Sequence, residues 1–269
     1  KDIADIAQKI ISLDLNIGLI TNGLLLDRIF PVAKDFTFIR ISLDAGTEET
    51  YAHVHGTPTF NQVLTHIQNL KNYIPSEKIG LAYLVIPQNS KEEEIRAFTE
   101  KAIQLGVGYI VFRPAILPKQ IGKKWQKNSL PKTLSYINSL ADEFSADIRI
   151  YRSAQNRWTR TIQNTRGTTG KCRACLFKGV ICADGSVPFC NLARNDKSRF
   201  LGNIYQNSFS EIWGSSQHKK FLEDIDIKEC PVPCAIDDYR DILYKYEDDI
   251  LNDTLPQLTF STYSHENFV

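Results

Sequence analysis

Methionine is missing from the 269 residues, where ordinary usage would supply about five. The chain also opens inside a helical pattern, KDIADIAQKI, with no initiator Met, which leads us to expect a further segment upstream. That opening lacks the three-part layout of a signal peptide, and no apolar run approaches the roughly 18–20 residues needed to cross a bilayer. Export and membrane insertion are not expected, and the expected compartment is the cytoplasm. Charge of one sign is lacking too: 32 Lys and Arg against 31 Asp and Glu leave a net charge of +1. Such a balance argues against nucleic acid or an anionic membrane surface as a partner. Repeats and low-complexity tracts are absent, and no cysteine occurs before position 172, which excludes a thiolate metal site or a disulfide framework from the first 171 residues.

What is present is a βα alternation. Short β-branched runs at Ile17–Thr21, Phe38–Leu43, Gly80–Ile86, Tyr109–Phe112 and Asp147–Tyr151 read as strands. Several are near-continuous apolar runs, as expected of parallel strands covered on both faces. Helical patterns separate them. In SKEEEIRAFTEKAIQLG, Ser90 reads as the N-cap, with Glu93 three residues on and Gly106 as the stop. Residues 60–73 and 133–144 follow the same logic. The pattern ends near Arg152, and residues 153–171 read as a polar linker. All six cysteines (172, 175, 182, 190, 230 and 234) then fall within 172–248, a second domain, before a polar extension over 249–269.

Six cysteines without an export signal point to metal or cluster ligation rather than disulfides. Four thiolates suit an iron–sulfur cluster or tetrahedral zinc. In VICADGSVPFC, Asp184-Gly185 reads as a two-residue hairpin turn. Pairing Ala183 with Ser186 would place Cys182 and Cys190 on opposite faces, so Cys182 reads as a small buried hydrophobe. Five cysteines then remain for four positions.

The spacing Cys172-x12-Gly185-x4-Cys190 resembles the SPASM and shorter twitch domains that follow the barrel of many radical S-adenosylmethionine (SAM) enzymes. The later segments are similar as well: Leu201-Gly202-Asn203-Ile204, Glu211-Ile212-Trp213, and the closing pair Cys230 and Cys234. The resemblance implies one auxiliary [4Fe–4S] cluster held by Cys172, Cys190, Cys230 and Cys234, with Cys175 as substitute for Cys172. A tetrahedral zinc site on the same thiolates is the alternative. The first half resembles the same superfamily: Thr21-Asn22-Gly23 is similar to the end of the third barrel strand, Ile41-Ser42-Leu43-Asp44 to the fourth, Val85-Ile86-Pro87-Gln88-Asn89 to the fifth and Val111-Phe112-Arg113-Pro114 to the sixth. The fold class so implied is α/β, a partial (β/α)6 radical SAM barrel over 1–152 followed by a small Cys-rich α+β domain. The family's C-x3-C-x2-C motif for the catalytic [4Fe–4S] cluster does not occur in the chain, and the resemblance puts it upstream.

By the same resemblance, Ser42 and Asn89 would contact SAM, Arg113 would lie near its carboxylate or the substrate, and Asn22 and Asp44 would line the same rim. Relatives often carry Arg where this chain has His55; His53 and His55 both read as solvated. The implied activity is an oxidoreductase that cleaves SAM to a 5′-deoxyadenosyl radical and abstracts hydrogen from a peptide or a small molecule, with flavodoxin or ferredoxin as reductant. A sugar or aminocyclitol alcohol is one such small molecule. The rival class is a non-catalytic barrel remnant with a structural zinc or iron–sulfur site.

Overall fold

A computed structural model describes residues 2–115, 119–152, 155–163, 172, 174–176, 178–227, 230, 234 and 243. The chain divides into two compact units, the first spanning Lys1–Ile162 and the second beginning at Gln163.

Five strands form the first unit's sheet: β1 (Gly18–Thr21), β2 (Phe38–Ser42), β3 (Ile79–Val85), β4 (Tyr109–Pro114) and β5 (Arg149–Arg152). They lie in sequence order and every neighbouring pair is parallel. Each matches an expected strand to within a residue or two. Parallel strands need a crossover between them. These are a 3-10 run (Leu26–Asp35), then α2 (Glu48–His55) with α3 (Phe60–Leu70), then α4 (Glu92–Leu105), then α5 (Lys119–Asn128) with α6 (Leu130–Glu143). A helix α1 (Ile3–Ile11) precedes β1.

Alternation along the strands decides which residues meet the helices. Ile39 and Ile41, then Ile79, Leu81, Tyr83 and Val85, then Ile110 and Phe112, share one buried cluster with Val63, Ile67, Ile95, Phe98, Ile137 and Leu140. Phe98 of α4 lies edge-on to Tyr83 and Phe112, at 4.7 and 5.6 Å between ring centroids. Burying one such ring stabilises the unit by about 1.5–3 kcal/mol. The loop after β2 also packs on α4: a Cβ at Gly46 would sit 2.3 Å from the Phe98 backbone nitrogen, so only glycine fits.

Two local readings differ. Helix α4 starts one residue late, with Lys91 rather than Ser90 at the N-cap; the Ser90 hydroxyl instead donates to the Pro87 carbonyl at 3.3 Å. Three glutamates in the first turn stabilise that end without a side-chain cap. The stretch read as a linker over 153–171 contains a helix, α7 (Gln155–Gln163). Its Trp158 belongs to the core with Ile162 packed against it, and Thr161 is buried. Spaced at i, i+3 and i+4, these form one helical face. The extension expected over 249–269 lies outside the described residues.

In the second unit β6 (Ser186–Pro188) pairs antiparallel with β7 (Phe200–Asn203), followed by α8 (Phe209–Ile212) and α9 (Ser216–Asp224). The expected two-residue turn at Asp184-Gly185 is a three-residue one. Gly185 N–H donates to the Cys182 carbonyl and Cys182 N–H to the Ser186 carbonyl, both at 2.9 Å. Gly185 adopts φ +77°, the bulge geometry that follows a type I turn. Cys182 therefore pairs with Ser186 rather than facing Val187, and β6 finds its ladder partner downstream in β7.

Candidate functional site

Because the strands are parallel, their C-terminal ends share one edge, and the residues expected at the rim gather there. Asn22 follows β1, Ser42 ends β2, Asp44 lies two residues beyond, Asn89 follows β3 and Arg113 is the penultimate residue of β4. Asn22 is exposed, and its Oδ1 accepts the Leu24 N–H at 3.2 Å. Ser42 is half-buried opposite Ala82, and Arg113 is half-buried opposite Leu84.

Asp44 and Asn89 are joined directly. Asp44 stands in the left-handed region at φ +55°, which Asp tolerates better than most residues. Its backbone N–H still donates to the Ala82 carbonyl of β3 at 3.2 Å, and its carboxylate adds a further rung beyond that: Oδ1 accepts the Leu84 N–H at 2.6 Å. The Asp44 carbonyl accepts from Asn89 Nδ2 at 2.9 Å; the same amide donates to Leu84 O at 3.0 Å and accepts from Ile86 N at 2.8 Å. Tyr83 completes the knot by donating to Asn89 O at 2.6 Å. Burial drives the Tyr83 phenol upward, so it stays a donor. Both amide protons of Asn89 thus hold the ends of β2 and β3 together.

His55 was missed by sequence reasoning. It is half-buried rather than solvated: Nε2 lies 3.4 Å from Asp44 Oδ2 and 3.2 Å from Leu43 O. Its ring stacks on Tyr51 at 4.4 Å. The hydrogen bond to Asp44 raises its pKa above the ordinary value, burial opposing. The available signal was spacing, since Tyr51 and His55 are one helical turn apart. His53 is exposed, as expected.

The second unit's apolar core contains thiols. Cys172, Cys175, Val187, Phe189, Leu201, Ile212 and Ile227 are buried together, with Cys190 and Cys234 packed against them. Cys172 and Cys175 sulfurs are 3.3 Å apart. Hydrogen bonding to Cys172 and Cys190, then burial, pushes the Cys175 thiol strongly upward. Apposed buried thiols resist ionising unless a cation joins them, and this donor set suits a soft metal or an iron–sulfur cluster. Cys230 is half-buried, its N–H bonded to the carbonyl of buried Ile227. Cys182 stands outside this core. Among the described residues, no three or more Cys, His, Asp or Glu side chains are already set as a finished metal site.

The motif residues around the thiols have local reasons. A Cβ at Gly185 would approach Tyr205 to 2.6 Å, and one at Gly202 would approach Ile212 to 3.0 Å. Asn203 donates to Asp184 O at 3.0 Å, tying β7 to the turn. Glu211 closes a capping box with Ser208, and Trp213 stacks on Phe209 at 5.4 Å.

Residues 172–235 match the SPASM family model, described as an iron–sulfur cluster-binding domain. That match takes in all six cysteines of the chain and none of the strands of the parallel sheet. The molybdenum cofactor biosynthesis protein moc-5 of Caenorhabditis elegans is 26% identical over 206 residues, 71% of this chain and 33% of its own length. Streptococcus suis SuiB bound to S-adenosylmethionine aligns with a TM-score of 0.60 at 12% identity, over 83% of this chain and 53% of SuiB. SuiB bound to its precursor peptide SuiA gives 0.61 at 12%, with the same coverage. At that identity the likeness to SuiB is one of fold. The chain spans about a third of moc-5 and about half of SuiB. The SPASM match accounts for the cysteines, and the fold of the chain is similar to that of SuiB.

Proposed function

We propose that the whole protein is a radical SAM enzyme that abstracts hydrogen from a peptide or small-molecule substrate and carries an auxiliary [4Fe–4S] cluster in the SPASM unit. The observation that carries this reading is the thiol group of Cys172, Cys175 and Cys190 within a SPASM match, in a chain whose fold is similar to that of SuiB. SAM reduced at a catalytic cluster would supply the 5′-deoxyadenosyl radical, and the rest of the chemistry is binding and orientation by the chain.

The rim residues would do the orienting. Ser42 and Arg113 offer a hydroxyl and a guanidinium at the edge for SAM or substrate, while Asp44 and Asn89 fix the strand ends that present them. Asn22 lies exposed at the same edge. For the auxiliary cluster the expected ligands are Cys172, Cys190, Cys230 and Cys234. The contacts of Cys175 with both Cys172 and Cys190 support adding it beside Cys172 rather than in its place. Cys234, packed against the same core, supports the fourth position over Cys230. A peptide substrate is supported by SuiB, whose structure holds a precursor peptide; the name of moc-5 supports a small molecule. Flavodoxin or ferredoxin would be the reductant and the cytoplasm the compartment. Among the described residues no helix is long and apolar enough to cross a membrane.

Anaerobic iron and sulfide analysis of the full-length gene product, with assay of reductive SAM cleavage to 5′-deoxyadenosine, tests the reading. The expected result is about four irons lost on replacing Cys175 or Cys190 by Ala. Zinc in place of iron, with no cleavage, overturns it.

A further inference from the structure

The rim is held by an ion-pair geometry that depends on a histidine. Asp44 has a backbone conformation that L-residues rarely adopt and a carboxylate that completes the β2–β3 ladder. One oxygen is fixed by Leu84 N–H; the other faces His55 Nε2. His55 ends α2, where the helix dipole favours a cation. Its ring is fixed between the Leu43 and Asp44 acceptors and the face of Tyr51, which is itself buried against Phe60 at 5.3 Å. Among the described residues Asp44 is the carboxylate that acts on His55. The neighbouring α3 presents Phe60 through Tyr51, and the other titratable groups of its own helix turn are Tyr51 and exposed His53.

We infer that His55 is a positioning residue: as an imidazolium it clamps Asp44 in its left-handed turn, and so sets the spacing of the β2 and β3 ends at which Ser42 and Asn89 stand. The inference rests on reading this rim as the SAM site. A neutral imidazole still donates one hydrogen bond from Nε2, but without the charge that roughly doubles the strength of such a bond to a carboxylate. An arginine in this place would hold Asp44 at any pH; histidine makes the rim proton-dependent. The binding-competent fraction therefore falls as pH rises past the pKa of His55, and the apparent Kd for SAM rises with it.

The experiment uses the full-length protein with S-adenosylhomocysteine as a non-reacting probe, its Kd measured from pH 6 to 9, alongside an NMR titration of histidine-labelled protein in which His55→Gln assigns the signal. In the wild type the Kd should rise above the pKa of His55 by up to about tenfold per pH unit. In His55→Arg it should be tight and level across the range, and in Asp44→Asn the His55 titration should move down toward the ordinary value. An unchanged slope in His55→Arg, or a His55 titration indifferent to Asp44→Asn, overturns the clamp while leaving the proposed function standing. Absence of probe binding at every pH, in wild type and variants alike, overturns both.

Discussion

The two units solve the problem of stability in different ways. The sheet unit buries more than thirty residues in one cluster of aliphatic and aromatic side chains, and Asn22, Asp44 and Asn89 at its rim are fixed by hydrogen bonds to the protein's own backbone. The SPASM unit gathers seven described residues in its buried cluster, and two of them are cysteines. Thiols within an apolar core are where a metal or cluster would be fastened as a staple. The contrast means that the sheet should fold on apolar burial alone, whereas the second unit should depend on what its thiols hold.

The sharpest way to break the contrast is to remove a thiolate. Cys175→Ala should abolish most of the auxiliary iron and make residues beyond 163 sensitive to limited proteolysis, while the far-UV signal of the parallel sheet persists. Collapse of both units together would show that the division is not energetic. Next in size is Phe98→Ala, which removes a fully buried ring between Tyr83 and Phe112. It should cost the sheet unit about 3–5 kcal/mol in chemical denaturation and leave the iron content of the folded protein unchanged. Gly185→Ala places a Cβ on a residue at φ +77° beside Tyr205; about 1–3 kcal/mol of strain should appear in the SPASM unit as a lower melting transition, with the sheet transition unmoved.

A smaller effect follows from the His55–Asp44 pair. The folded-state pKa of His55 is raised, so its contribution to stability is complete below about pH 6.5 and is lost as pH rises through the raised value. Urea denaturation of the wild type should show that decline as pH rises above about 6.5, and His55→Gln should remove it. Smallest of all is Arg96→Met: the bidentate Arg96–Glu143 contact, at 2.8 and 2.7 Å, lies at the surface, where screening leaves such pairs little net effect. The melting temperature should hardly change, although Arg96 has a nearer and better-aligned carboxylate partner than His55 does.

Legibility followed the range of the interaction. All five strands and the principal helices were readable because apolar periodicity reports burial directly: Ile79, Leu81, Tyr83 and Val85 alternate as a strand against helices must. Trp158, Thr161 and Ile162 had helical spacing too, but in so polar a stretch three positions gave too little signal against the surrounding glutamines and arginines. The turn at Asp184-Gly185 was misread by one residue because a two-residue and a three-residue hairpin use the same Asp-Gly pair. The choice between them depends on β7, a strand 14 residues further on. His55 was invisible as a partner because Asp44 lies 11 residues away across a turn whose geometry is set by Gly46 against α4.

The sequence by itself determined the class of the protein: the parallel βα alternation, the segregation of cysteines into a second unit, and the spacing that marks a SPASM domain. These are properties of local pattern, fixed by where apolar and thiol side chains recur along the chain. Only the tertiary structure decided which thiols meet, that Asn89 holds strand ends with both amide protons, and that the Asp44 carboxylate extends the β2–β3 ladder. Those outcomes depend on the angles at which separate elements pack, and a hydrogen bond of 2.6 or 2.9 Å exists or fails on displacements that no spacing along the chain encodes.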